Sequence, residues 1–397
     1  MLPKNMDMTN NNPPERIRVL MLGASLDIQG GITSVEKLIL DHLPPELQVH
    51  HVGTFAPGSA RHNAIVFIKA IKKLVWALLQ AEADIVHIHF AERGSTLRKA
   101  IIVLILLIFR QPFILHAHGA TFQEFYAGLP SLIQYFLGNL FGKCNKFIAL
   151  SESWKSYYSK VFQLEESQIT VLHNPVKFPS NVPDRQGHPL VKFIFLGLIG
   201  KRGGALDLAK SIIAFPKQDK GAFDLIRALA ALPESDKNCA ELVLAGNGDL
   251  EIAQNLIKEL GIENKITIYE WLNPAQRDAL MAEADAFVLP SYNEGLPMSM
   301  LEAMAWGLPV IVTPVGGIPE VIDHNKNGLI VEPGNQEQLV EAIQILIRNQ
   351  ALRYSLGSAA RTSIEYLDIK NYMNSLLDVY TSIIKEKTNF SRKKKII

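Results

Sequence analysis

Short apolar runs, closed by glycine or polar turns, alternate along the chain with longer stretches whose apolar residues recur every three or four positions. In the first half, residues 17–22, 49–52, 85–89, 113–115, 147–150 and 170–172 read as buried strands. Residues 32–40 and 67–79 read as helices between them. The pattern resumes with strands at 193–196, 241–245, 266–268, 286–289 and 310–313. Strands alternating with helices in both halves predict an α/β chain of two parallel-sheet domains facing across a cleft. The expected division is a disordered leader at 1–15, a first domain at 16–180, a linker at 181–190, a second domain at 191–370, and a returning helix with a basic tail at 371–397. The leader has no apolar core of the kind a signal peptide needs.

Two helical stretches carry unusual faces. In 67–79, Lys69, Lys72, Lys73 and Trp76 share one side, and Ile68, Ile71, Val75 and Leu78 lie largely on the other. The basic side is either a solvated face or a contact with anionic lipid, since lysines beside tryptophan suit headgroups. Residues 101–109 are all apolar, flanked by Arg98, Lys99 and Arg110, and Pro112 ends the run. A spanning helix needs about 20 such residues. The run is therefore expected to be a buried core helix, with an interfacial helix as the alternative.

With 48% hydrophobic and 20% charged residues, the chain can build a core and is not globally disordered. Cys144 and Cys239 form no disulfide framework and no metal-ligand spacing, which fits a reducing cytoplasm. The net charge of +1 hides an asymmetry. Residues 1–185 hold 18 basic and 14 acidic side chains, 186–384 hold 16 and 24, and the tail 385–397 holds 6 and 1. A basic first half is compatible with an anionic surface or an anionic acceptor, or is ordinary fluctuation. No nucleic-acid partner is expected. Location is expected to be cytoplasmic, with the inner face of the plasma membrane as a further option.

Candidate chemistry starts at the strand ends. Gly30-Gly31 allow close backbone approach at a strand-to-helix turn, but G-x-G-x-x-G and an acidic residue about 20 positions on are absent. Gly246-Asn247-Gly248 likewise lacks a third glycine. In His116-Ala117-His118-Gly119 the alternating histidines are expected to face opposite ways. No H-x-E or C-x-x-C accompanies them, so no metal site is expected. The strongest signal is SYNEGLPMSMLEAMAWGLPVIVT at 291–313. Pro297 stands where a helix would start and Gly307 where it would stop. Glu294 lies in the loop ahead of that helix, and Glu302 lies one turn inside it. Free N–H groups around Leu296 to Ser299 suit a phosphate. Two acceptor-only carboxylates beside a phosphate suit a sugar and a ribose.

The run N-E-G-L-P-x-x-x-L-E-A-M-A-x-G-x-P-V-I at 293–311 resembles the donor-site signature of retaining glycosyltransferases of family 4, also called glycosyl transferases group 1, which have the GT-B fold of two Rossmann-like domains. The likeness continues through Pro314 to Glu320 and Asn327-Gly328-Leu329, and more weakly over most of 16–385. His173-Asn174-Pro175-Val176 resembles the family's N-G-V turn, with proline for glycine. The resemblance implies transfer of a hexose from a nucleoside diphosphate sugar to a hydroxyl of a glycan or lipid-linked acceptor. The setting implied is surface polysaccharide or glycolipid assembly, and no cofactor is implied beyond the donor itself. Glu302 would hold the ribose, and Glu294 would hold the sugar near its reacting face. His118 would reach the donor sugar, and Gly31 would lie by the donor phosphates. Gly246, Trp271 and Leu272 would line strand-end loops by the nucleotide, and Gly295, Leu296 and Pro297 would open the phosphate-binding helix. Retention would follow a front-face path, with the leaving phosphate helping to deprotonate the acceptor.

The phosphate-binding cations are harder to place. Family members usually carry Arg after the glycine at 197, then Lys-Gly at a helix start. Here Leu198 follows, then Lys201 and Arg202, and Lys-Gly comes only at Lys220-Gly221. Residues 203–215 echo 220–232, with five of thirteen positions identical, as in a tandem duplication. Either the first copy is the true loop and helix, or 203–219 loop out and Lys220 returns to the cleft. The second register is favoured, because only that copy keeps lysine before glycine, and it assigns Arg202 and Lys220 to the diphosphate. Two rivals stay open: a nucleotide-sugar epimerase of the same architecture, and a non-catalytic nucleotide-sugar-binding subunit.

Overall fold

A computed structural model describes residues 16–185, 190–200 and 220–394, with side chains through Lys387. The first sheet comprises β1 (Ile17–Gly23), β2 (Leu47–Gly53), β3 (Ile85–Phe90), β4 (Phe113–Ala117), β5 (Lys146–Ala149) and β6 (Ile169–Val171), in the order β2-β1-β3-β4-β5-β6. Its helices are α1 (Gly31–Asp41), α2 (Ala60–Leu79), α3 (Gly94–Phe109), α4 (Phe122–Ala127), α5 (Ser131–Phe141) and α6 (Glu152–Phe162). The second sheet comprises β7 (Val191–Leu196), β8 (Ala240–Ala245), β9 (Ile266–Tyr269), β10 (Ala286–Leu289), β11 (Val310–Val312) and β12 (Leu329–Ile330), in the order β12-β11-β10-β7-β8-β9. Around it lie α7 (Ala222–Ala230), α8 (Glu234–Lys237), α9 (Leu250–Glu259), α10 (Pro274–Glu283), α11 (Met298–Ala305), α12 (Gln336–Arg348) and α13 (Gln350–Ser363), and α14 (Ile369–Lys394) follows.

All pairings within both sheets are parallel. Crossover helices cover both faces of such a sheet, which is why its strands are apolar runs and not alternations; all six residues of β3 are buried. In each sheet the chain reverses its direction of winding once. β2 and β3 flank β1, and β8 and β10 flank β7. The crevice outside the carboxyl ends of those strands is where ligands of doubly wound sheets bind.

From α14, Tyr372, Met373, Leu376, Tyr380 and Ile383 join a core with Val19, Met21, Ile85, Ile114 and Ile148 of the first sheet. The last helix thus crosses back to the first domain, starting two residues before the expected boundary. Between β6 and β7 the backbone of Val176 bonds to Leu367 and Ile369.

Two expectations change. α2 begins at Ala60, where the Ser59 hydroxyl accepts the His62 N–H. Its buried face is Ala70, Leu74 and Ala77, while Ile68 is exposed with the lysines and Trp76. α3 is not a buried core helix. Ile102, Val103 and Leu106 are buried, but Leu97, Ile101, Leu104, Leu107, Ile108 and Phe109 are exposed. A helix in the outer layer of a sheet has one face to bury, and here the outer face is apolar too. Among the described residues no helix is long and apolar enough to cross a membrane. The leader, Lys201, Arg202 and the first copy of the duplication lie outside the described residues.

Candidate donor site in the interdomain cleft

The site lies at the carboxyl ends of β7 and β10. After β10 the chain turns through Ser291 into the loop holding Glu294, and Pro297 caps the start of α11. Proline there fixes the backbone for entry and lacks an N–H that a helix start would leave unbonded. Glu294 is only 6% exposed. Its Oε1 accepts from the Ser291 hydroxyl at 2.8 Å and lies 3.1 Å from Lys220 Nζ. Lys220 reaches this place because Gly221 turns the chain at a positive φ of 73°. A β-carbon at Gly221 would meet the Pro290 carbonyl oxygen at 2.1 Å, so only glycine allows that approach. The helix after Gly221 is α7, so the second copy of the duplicated segment supplies the helix that follows β7 among the described residues.

Glu302, one turn inside α11, pairs with Arg277 at 2.9 Å. Burial pushes its carboxyl up to about 7; Arg277 opposes the shift and Asp278 adds to it. Arg277 comes from α10, which opens with a capping box in which Asn273 and Gln276 bond each other's backbone, and Pro274 stands in the first turn. That cap follows Trp271-Leu272 directly, and this is how Arg277 arrives beside the cleft.

These side chains line two adjoining cavities. One, of about 150 Å³, is bounded by Gly31, His118, Lys220, Glu294, Gly295 and Leu296. The other, of about 230 Å³, is bounded by Gly31, Lys220, Trp271, Leu272, Arg277 and Glu302. Lys220, Leu198 and Pro297 line both. Leu198 thus brings an apolar side chain to the junction where the family usually has arginine. Gly246 serves the scaffold instead: a β-carbon there would lie 1.8 Å from the Gly197 carbonyl oxygen, and its neighbours Ala245 and Asn247 face the cavity. Arg202 lies outside the described residues. A further cavity, of about 760 Å³ between Asp184-Arg185 and α13, is lined by none of these groups.

The first domain meets the cleft with imidazoles. His116 and His118 do not face opposite ways. Strand side chains repeat with period two, so residues two apart share a face, and their ring centroids lie 4.2 Å apart. His87 and His89 on β3 share the same face and stack on them. His89 Nδ1 lies 2.8 Å from His118 Nε2, and the Tyr380 hydroxyl lies 2.7 Å from His87 Nδ1. Burial holds His87 and His118 down to about 3, and His89 and His116 well below their ordinary range. Among the described residues, the donor atoms of His87, His89 and His116 fall within 4.8 Å of one another, a spacing that could hold a metal ion. No carboxylate belongs to that group, so a divalent ion would bring uncompensated charge into the core. The sequence signal for this cluster was two H-x-H repeats ending successive strands.

Contacts across the cleft tie the walls together. Asn174 donates to the Leu296 carbonyl at 2.7 Å, and Asn247 to Gln29 at 2.9 Å. The Glu320 carboxylate accepts the first N–H groups of α6, from Glu152 and Ser153, at 2.8 and 3.0 Å.

Two family models match this chain: glycosyltransferase family 4 over residues 37–178, and glycosyl transferases group 1 over 212–363. The chain belongs to this glycosyltransferase family. An uncharacterized glycosyltransferase of Methanocaldococcus jannaschii is 30% identical to it over 238 residues, 59% of each chain, so the match spans less than two thirds of that relative. The UDP-Gal:alpha-D-GlcNAc-diphosphoundecaprenol alpha-1,3-galactosyltransferase of Escherichia coli is 24% identical over 347 residues, 84% of each. The crystal structure of Anabaena HepE with UDP-glucose superposes with a TM-score of 0.69 at 17% identity, covering 92% of this chain and 100% of that one. The glycosyltransferase therefore has the GT-B fold.

Proposed function

We propose that this glycosyltransferase moves a hexose from a nucleoside diphosphate sugar to a hydroxyl of a glycan or lipid-linked acceptor, with retention, in surface polysaccharide or glycolipid assembly. The observation that carries the reading is the contact of Lys220 with Glu294 where the two cavities meet. A cation at that junction suits the diphosphate, and a carboxylate on its sugar side suits hexose hydroxyls. The ribose sits against Glu302, with the nucleotide between Trp271, Leu272 and Arg277. The diphosphate meets the start of α11. As the bond from anomeric carbon to phosphate oxygen breaks, the acceptor oxygen bonds that carbon from the same face, and its proton passes to the departing phosphate. Uridine is the favoured base, because HepE was crystallised with UDP-glucose and the E. coli relative is named for UDP-Gal. A screen of uridine, guanosine and adenosine diphosphate hexoses, following nucleotide release with and without acceptor alcohols, tests this. An epimerised donor without acceptor would instead indicate an epimerase, and binding without turnover a non-catalytic subunit.

The acceptor-side partner proposed is an anionic bilayer. Leu97, Ile101, Leu104 and Ile108 on α3, and Leu132, Tyr135 and Phe136 on α5, are exposed on adjoining helices. On α2, next to α3, Lys69, Lys72, Lys73 and Trp76 are exposed as well. An apolar face bordered by lysines suits the headgroup boundary of an anionic leaflet. Sedimentation with anionic vesicles at rising salt is expected to show binding that weakens. Equal partitioning onto neutral vesicles would count against it.

A further inference from the structure

His89 is buried at the end of β3, and the donor-site reading gives it no task. Its Nδ1 lies 2.8 Å from Nε2 of His118. Both rings are neutral, so each carries one hydrogen and exactly one nitrogen of this contact can donate. The far side of His89 decides which. Its Nε2 is buried with no hydrogen-bond partner among the described residues. An orphaned buried N–H is rarer than an orphaned buried acceptor, so this nitrogen is bare and the hydrogen sits on Nδ1. That hydrogen is donated to His118 Nε2. His118 must then carry its own hydrogen on Nδ1, and His118 lines the cavity shared by Glu294 and Lys220.

We infer that His89 is a positioning residue that fixes His118 as its Nδ1–H tautomer, so that the cleft wall presents a hydrogen-bond donor, and not a base, to an oxygen of the bound sugar. The inference rests on the donor-site reading above. It has a direct chemical consequence. The one basic nitrogen of His118 is occupied by His89, so His118 takes no proton from the acceptor, and that proton goes to the departing diphosphate. It also sets a specificity: a sugar with a hydroxyl or carbonyl oxygen facing His118 is held, and one with a hydrogen in that place loses the contact. The neighbouring chain from Tyr380 through His87 to His116 stacks on this pair but is not hydrogen-bonded to it.

The test begins without turnover. In the isotope-labelled full chain, long-range proton–nitrogen NMR correlations report which ring nitrogen carries hydrogen, with His118 assigned by its loss in His118→Gln. The expected pattern is protonated Nδ1 and bare Nε2 on both His89 and His118. A bare Nδ1 on His118 overturns the inference, whether or not any variant folds. Kinetics then probe the role. His89→Asn, whose amide N–H can stand where Nδ1–H stood, is expected to keep kcat near wild type, and His89→Leu to lower it by about tenfold or more. A His89→Leu that unfolds at the wild-type temperature and keeps wild-type kcat overturns the positioning role. If the tautomer is as stated but His118→Gln turns over normally, the donor-site reading of His118 fails and the tautomer assignment stands.

Discussion

The two walls of the cleft are built from opposite chemistry. The second domain brings charge: Lys220, Glu294, Arg277 and Glu302, paired at 3.1 and 2.9 Å. The first brings neutral rings, with burial holding His118 down to about 3, a glycine at position 31, and a buried carboxylate, Glu92. Fixed charge and helix ends suit a diphosphate, and this is why the donor is proposed to sit against the second wall. Neutral imidazoles offer an incoming hydroxyl directed hydrogen bonds at little desolvation cost, which suits orienting a sugar and admitting an acceptor. The same division continues outward, where the first domain ends in apolar and basic helices.

The contrast is broken most severely at Glu294. Glu294→Gln is expected to lower turnover roughly 100-fold, while calorimetry finds the free nucleoside diphosphate still bound. Glu302→Ala should do the reverse. It removes a charged acceptor from the ribose and weakens nucleotide binding by about 1.5–3 kcal/mol. Equal losses in the two variants, or none, would dissolve the distinction between a sugar carboxylate and a ribose carboxylate.

Lys220→Ala comes next, with turnover expected to fall by about tenfold or more. Lys210→Ala and Lys217→Ala, within the 203–219 insertion, should remain near wild type. A normal rate for Lys220→Ala beside an inactive Lys201→Ala would show that the first register, with the first copy as the true loop and helix, is the real one.

The smallest expected effect is on pH. Burial holds the Glu302 carboxyl at about 7 against an ordinary 4.5. Burial disfavours the charged form, so the folded chain keeps this proton longer than the unfolded chain, and the group's contribution to stability falls as pH rises from 4.5 to about 7. Nucleotide affinity runs the other way, because the ionised carboxylate is the stronger acceptor: binding should tighten a few-fold as pH rises through about 7. Arg277→Ala removes an attraction that lowers the value, and should move that transition to higher pH. Calorimetry of the nucleotide across neutrality, in both proteins, is the check.

Much of this arrangement was legible in the chain. Parallel strands buried on both faces leave plain apolar runs, and Pro297 with Gly307 bracket α11 as their backbone chemistry requires. The positions of Glu294 and Glu302 followed from that bracket. The histidines were misread because the period-two rule was applied with the wrong sign: His116 and His118 are two apart and therefore side by side. Arg277 was missed because its partner, Glu302, lies on another helix, and no local pattern records such a meeting. α3 was misjudged because an apolar run states its own affinity for a nonaqueous neighbour but not whether a neighbour is there. The duplication left two registers that composition could not separate. Among the described residues the second copy supplies the helix after β7, with Gly221 turning against Pro290.

The chain passes between the domains twice, once on the way out of β6 and once on the way back into α14. At Val176 the two passages are joined to each other: its N–H bonds to Leu367 at 2.9 Å, and its carbonyl accepts from Ile369 at 3.0 Å. Two separate tethers would let the domains slide or twist past each other. Two tethers zipped side by side behave as the spine of a book. The remaining freedom is rotation about that spine, and every contact across the cleft, from Asn174 near the spine to the Glu320 grip on α6, acts with a lever arm set by its distance from it. A ligand that bridges the walls far from the spine therefore gains the greatest leverage over closure.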